Sequence, residues 1–198
     1  MIEVKRLQKI TPTSYRVGDQ IEINIMQLGN FTATCQRVDE DTAVFMFDES
    51  IVARQMNETC TNLGGFDKSD LKEWLNNVLL ICFPDDIVWN MKLFKDESAL
   101  RLPTVAEMFG KKAFYGRYGT EEAERFPLMA NRRNRIVSEE DFEYAWYWLA
   151  NSKVDLDNEQ DFAFIADTGR ISHAKATNVY GVRPVFQLIN HERSEEDV

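Results

Sequence analysis

Cysteine, histidine, positive charge and long apolar runs are all scarce in this chain, and each scarcity removes a class of function. The three cysteines, Cys35, Cys60 and Cys82, include no CxxC pair. So odd and sparse a set argues against an extracellular disulfide framework. Only two histidines are present, His173 and His191. Lys and Arg total 23 against 33 Asp and Glu, a formal charge of -10. A surface this acidic repels phosphate backbones and anionic headgroups, so no nucleic-acid partner is expected. The basic run Arg132, Arg133 and Arg135 reads as a solvated or locally salt-bridged loop within that negative field. No stretch approaches the roughly 20 apolar residues of a membrane span, so no membrane insertion is expected. Residues 1–20 lack the apolar region of a signal peptide. The expected location is therefore the cytoplasm, or a virion after release by lysis. No Gly-x-Ser-x-Gly, P-loop or His-Glu-x-x-His pattern occurs.

What is present is ordinary globular material, with 44% hydrophobic and 28% charged residues. A chain of 198 residues can bury a sizeable core without metals or disulfides. It reads as one domain over residues 1–190 with a charged tail at 191–198.

Residues 21–28 alternate, with Ile21, Ile23 and Ile25 on one face and Glu22 and Asn24 on the other. This is the pattern of a half-buried strand. Phe31, Ala33 and Cys35 continue it in a second strand, and an acidic turn leads into a third at residues 42–47. Together they predict an antiparallel meander. From Ser69 the period changes: Leu71, Trp74, Leu75, Val78, Leu79 and Cys82 mark one face of an amphipathic helix, with Ser69 as N-cap and Pro84 as stop. Thr104 and Glu107 have capping-box spacing, predicting a short helix that ends near Gly110. Residues 111–135, with Gly116, Gly119 and Pro127, read as a long loop of the kind that is functional or mobile. Residues 142–149 are apolar on both faces and fit either a buried strand or a helix end. Residues 161–166 and 170–175 predict two strands around a Thr168-Gly169 turn. A polar loop at 176–180 then precedes one final strand, 182–189.

Several of these segments resemble known sequences. Arg101-Leu102-Pro103-Thr104-Val105-Ala106-Glu107-Met108 is similar to the RLPTEAEW segment of formylglycine-generating-enzyme-like proteins, and the strand beginning Gly181-Val182-Arg183-Pro184 to the closing strand of that superfamily. The order Gly18-Asp19-Gln20-Ile21, Trp74-Leu75-Asn76, Tyr147-Trp148-Leu149-Ala150-Asn151-Ser152 and Gly181-Val182-Arg183-Pro184 resembles a group of uncharacterised bacterial and prophage domains. The chain departs at Ala150, where that group tends to have Arg. The resemblance implies an α+β, C-type-lectin-like fold of antiparallel sheets, two main helices and long loops gathered on a ligand-binding face. In similar domains of phage and bacterial diversity-generating systems, residues just upstream of the closing strand vary to capture new receptors.

The chemistry of these relatives is not carried over. A copper site of formylglycine-generating type needs cysteines near the C-terminus, and all three here precede residue 83. Two histidines cannot build the three-histidine site of iron-dependent relatives, and the EPN, QPD and WND triplets of calcium lectins are missing. Asp155, Asp157, Asn158 and Glu159 offer oxygen ligands but read as a solvated acidic loop. The expectation is a non-catalytic domain with no cofactor, no metal and no catalytic residues. It would bind a protein or a cell-surface glycan, and no oligomeric state is set. A structural assembly subunit, or an enzyme without a recognisable motif, stands as the rival.

Arg183, a polar residue within an apolar strand, is expected to be buried and paired with an Asp or Glu. Gly181 is expected to supply a conformation closed to other residues. Trp74, Leu75 and Trp146 are expected in the core. The candidate binding residues are Arg170, His173, Lys175, Asn178 and Tyr180, which mix an aromatic plate with adaptable polar groups. Asn151 and Asp167 join them from strand ends, and Trp148 from a strand whose faces the sequence does not rank.

Overall fold

The computed structural model describes residues 14–111, 113–114, 116–118, 123–137, 145–154 and 159–190. Gly119, residues 142–144, Asp155, Asp157, Asn158 and the tail with His191 lie outside the described residues. Those described form an α+β arrangement of two mainly antiparallel sheets with three short α-helices. None of those helices is long and apolar enough to cross a membrane.

The expected meander is present. β1 (Gln20–Ile25), β2 (Gly29–Val38) and β3 (Thr42–Phe47) pair in sequence, and β9 (Val185–Ile189) closes the sheet against β3. β3 is buried on both faces, which is why it reads as a continuous apolar run rather than an alternation. Phe45 and Phe47 face one core with Phe186 and Leu188, while Val44 and Met46 face a second with Val185.

The second sheet contains β4 (Val52–Gln55), β5 (Tyr147–Ser152), β6 (Asp161–Ile165), β7 (Ile171–Lys175) and β8 (Val179–Val182), in the order β4-β8-β5-β6-β7. Its faces divide between the same two cores: Trp148, Phe162 and Phe164 in the first, Tyr147, Leu149, Ala163 and Ile165 in the second.

The single final strand expected from the sequence is two strands. β8 pairs with β4 in one sheet, and β9 pairs with β3 in the other. Arg183 and Pro184 make the crossing. Proline has no N–H to give to a ladder, so pairing stops there and the chain can change partners. Gly181 sits in β8 opposite Ala53, without the positive φ expected of it. The left-handed backbone is found instead at Gly169, the turn glycine, with φ 70.

The helix from Ser69 also differs in detail. α1 (Asp70–Trp74) is capped by Ser69 Oγ, which accepts from the Lys72 N–H at 3.1 Å. Residues Leu75–Leu79 then form a wide π turn, and Leu80–Cys82 a tight 3-10 turn. The Leu80 N–H reaches back five residues to the Leu75 carbonyl. One extra residue in a turn rotates the side chains beyond it, so Leu71, Leu75 and Leu79 are buried while Val78 is turned into solvent. A second short helix, α2 (Asp85–Val88), comes after Pro84.

α3 (Val105–Phe109) has the reciprocal capping box, with Glu107 Nα–H on Thr104 Oγ1 at 3.2 Å and the Thr104 N–H on Glu107 Oε2 at 2.9 Å. It ends at Gly110, as its sequence predicts. The buried Glu107 also takes a two-pronged pair from Arg101, at 2.8 and 2.5 Å. Asn76 pins the intervening segment: its Oδ1 accepts from the Ala99 and Leu100 N–H groups, and its Nδ2 donates to the Lys72 and Leu100 carbonyls.

Candidate functional site

The hairpin β6–β7 and the loop after it build an open concavity of about 570 Å³. Cross-strand partners Asp161↔Lys175, Phe162↔Ala174, Ala163↔His173 and Phe164↔Ser172 fix the register. Paired residues share a face, so Asp161, His173 and Lys175 lie on one side of the hairpin, and Phe164 and Ala174 on the other. All five, with Gln160, Asn178 and Tyr180, line the concavity. It therefore draws its walls from both faces of β7.

β7 is the edge of its sheet. The bonds from the Ala166 N–H to the Arg170 carbonyl and from the Ala176 N–H to the Gln160 carbonyl set the ladder's phase. In that phase Ser172 and Ala174 bond inward to β6, and the main-chain groups of Ile171 and His173 point outward. No described residue pairs with those outward groups.

The aromatic wall is rigid. The Tyr180 ring lies 4.7 Å from both Phe164 and Trp148, and Trp146 stacks on Phe164 at 5.4 Å. Asn178 Nδ2 donates to the Tyr180 hydroxyl at 3.1 Å. The polar wall is looser. His173 Nδ1 stands 3.5 Å from the Tyr118 hydroxyl, and Nε2 3.9 Å from Asp161 Oδ2, neither a short hydrogen bond. Burial pushes the Tyr118 hydroxyl above the usual tyrosine range, against the lowering effect of Arg117, so it is a protonated hydroxyl beside the imidazole.

Four of the eight sequence-predicted residues, His173, Lys175, Asn178 and Tyr180, thus come together. Asp167 and Arg170 do not join them; both are exposed at the hairpin turn, the far end of β7 from Lys175. Trp148 is wholly buried, with its indole N–H donated to the Arg54 carbonyl at 2.9 Å, so it backs the Tyr180 ring and cannot itself meet a ligand. Asn151 is also interior. Its Oδ1 accepts from the Val105 N–H at 2.7 Å and its Nδ2 donates to the Tyr118 carbonyl at 3.0 Å, tying α3 to the loop carrying Tyr118.

The sequence reading missed Gln160, Asp161, Phe164 and Ala174. The signal was the Thr168-Gly169 turn: counting outward from it pairs residue 175 with 161 and 173 with 163.

Two expectations about arginines are corrected. Arg183 is buried as expected, but its partners are not carboxylates. Its Nε donates to the Phe47 carbonyl at 2.5 Å and its Nη1 to the Tyr147 hydroxyl at 3.2 Å, with the guanidinium 5.2 Å from the Tyr147 ring. Of the basic run, Arg132 and Arg133 are exposed as expected, while Arg135 is half-buried and forms no salt bridge among the described residues. It donates to the Met129 and Gly169 carbonyls and lies 4.7 Å over the Phe109 ring.

A second depression, about 370 Å³, surrounds Lys72, which bridges Asp67 at 2.8 Å and Asp96 at 2.5 Å. Burial works against the Lys72 ammonium, but those two carboxylates outweigh it and hold its pKa above the usual lysine range. This is an ion-pair clamp from α1 to the turn before it and to the loop after α2. No family model, curated protein or solved structure matches the chain.

Proposed function

We propose that this chain is a non-catalytic recognition domain of C-type-lectin-like type, holding a protein segment or a cell-surface glycan against β7 and the 176–180 loop. The convergence of His173, Lys175, Asn178 and Tyr180 on one open concavity carries this reading. An aromatic ring locked from behind presents contact area at little cost in entropy, and the surrounding amide, imidazole, ammonium and carboxylate groups can each take a hydroxyl or amide. The outward main-chain groups of Ile171 and His173 would accept an extended strand of a protein partner. The shape is a shallow trough, suited to a ligand lying across it rather than to a small substrate shut away from water. The resemblance to prophage domains favours display on a phage particle after release from the cytoplasm.

The test is a screen of purified protein on glycan arrays and bacterial surfaces, with and without calcium, beside a variant carrying His173→Ala, Lys175→Ala and Asn178→Ala. Tyr180 is kept in that variant because its ring packs on Trp148. Saturable binding lost in the variant supports the reading; equal binding by both contradicts the site.

A second reading, an assembly subunit, has its own observation. Ile81 is 72% and Trp89 79% exposed, on either side of Pro84, and the Met26 N–H bonds the Cys82 carbonyl next door. A contiguous apolar face built on these residues would mark a contact site. Sedimentation of the parent against Ile81→Lys decides it, since an oligomer that the substitution dissolves requires this reading.

A further inference from the structure

A separate cavity of about 340 Å³ lies where the crossing between β8 and β9 meets β2 and the turns at 127–136. Its wall includes Arg183, 3% exposed, and Gln36, 1% exposed. The five guanidinium N–H groups of Arg183 are only partly taken. Nε and Nη1 are used on Phe47, Tyr147 and, at 3.4 Å, the Asn134 carbonyl, while Nη2 meets no acceptor among the described residues. Gln36 Nε2 donates to the Thr34 carbonyl at 3.1 Å, but its Oε1 is buried and accepts from nothing among the described residues. Asp48, also on the wall, is met by Thr34 Oγ1 at 2.6 Å and Gln20 Nε2 at 3.0 Å, both neutral donors. Arg133 stands exposed at the rim.

A buried guanidinium without a carboxylate among the described residues, sharing a cavity wall with a buried acceptor without a donor among them, is expensive for a fold to keep. A molecule carrying a carboxylate and a neighbouring donor can meet both. We propose that this cavity binds a small organic acid, its carboxylate on Arg183 Nη2 with Arg133 at the rim, and a neighbouring hydroxyl or ammonium donating to Gln36 Oε1. Guanidinium groups favour carboxylates by geometry as well as charge. The mixed signs of Arg183, Arg133 and Asp48 favour a ligand with an anionic and a donating end over a plain anion.

The test is a titration of ¹⁵N-labelled protein with glycolate, glycine, acetate and methylammonium, following the Arg183 Nε–H resonance. Glycolate or glycine is expected to shift it saturably and to bind about ten-fold tighter than acetate, the worth of one added hydrogen bond. Methylammonium should leave it unmoved. In Gln36→Leu, checked for folding by its thermal transition, acetate binding should persist and the ten-fold preference vanish. If that variant does not fold, Arg133→Glu at the exposed rim should weaken every acid several-fold. No saturable shift with any acid, equal binding of acetate, glycine and glycolate, a shift with methylammonium, or acid affinities untouched by Arg133→Glu would each overturn the proposal.

Discussion

A guanidinium buried beneath a strand crossing takes whatever acceptors the fold places there, and at Arg183 these are the Phe47 carbonyl and the Tyr147 hydroxyl. Removing it takes this donor from the buried Phe47 carbonyl and leaves the Tyr147 hydroxyl only its bond to the Arg135 carbonyl. Arg183→Met is therefore expected to lower unfolding free energy by about 2–4 kcal/mol in urea titrations; a loss below about 0.5 kcal/mol would show the side chain to be incidental. Burial of Arg183 was legible because a charge in an apolar strand has nowhere else to go. Its partners were not, because they are oxygens 136 and 36 residues away that no pattern marks. Trp148 failed for a related reason: its strand is apolar on both faces, so alternation could not say that its ring backs Tyr180. The cysteines give a second residue-scale expectation. Burial, aided by the Asp19 carboxylate, pushes the Cys35 thiol up to about 12, so the thiolate is disfavoured in the fold. At pH 8 iodoacetamide should label exposed Cys60 and spare Cys35 in the native protein, read by peptide mass spectrometry. Labelling of both at equal rates would contradict the buried site.

At the scale of elements, α3 is too short to persist without its caps and its buried ion pair. Thr104→Ala should cost about 1 kcal/mol, the usual worth of an N-cap. Glu107→Ala should cost about 3 kcal/mol, because the same carboxylate satisfies Arg101 and the Thr104 N–H from a buried position. Equal losses in chemical denaturation would mean that the Arg101 pair contributes nothing. The capping box was readable from two residues three apart, and Arg101 six residues before Glu107 was not. The helix after Ser69 was readable as a helix, but the π turn was hidden, since it leaves no mark on composition; Val78 is the residue it displaced. The closing strand reads as continuous from residue 182 to 189, because hydrophobicity does not reveal a change of sheet. Pro184 was the available sign, and its missing N–H is what lets β8 and β9 part.

For the whole molecule, alkaline pH is the condition expected to test the packing. Burial raises the pKa of Cys35 and of the hydroxyls of Tyr15, Tyr118 and Tyr147, with arginines opposing the rise at the last two. A group whose folded pKa lies above its unfolded value stabilises the fold below the unfolded pKa and loses that contribution as the pH rises through the folded one. Stability should therefore hold to about pH 9, where an unfolded cysteine begins to ionise, and fall from there toward about 12. Urea midpoints between pH 7 and 11 check it, and a midpoint rising above about pH 9 would contradict the assignment. The two sheets and the order of their strands arise from pairings between distant segments, β3 with β9 and β4 with β8, which periodicity cannot supply. The candidate face was partly legible because it lies on one hairpin and the loop behind it, a stretch of about 20 residues whose register a turn determines.

The central claim is that ligand lies along β7 between Asp161, His173 and Tyr180. Its most direct test takes whichever glycan or protein segment the screen selects and maps its contacts by backbone amide shifts. The account predicts changes confined to residues 160–164 and 171–181, with Ile171 and His173 amides gaining protection from exchange if the ligand is a peptide. Changes centred on Ile81 and Trp89, with the β7 amides unmoved, would contradict it and hand the molecule to the assembly reading.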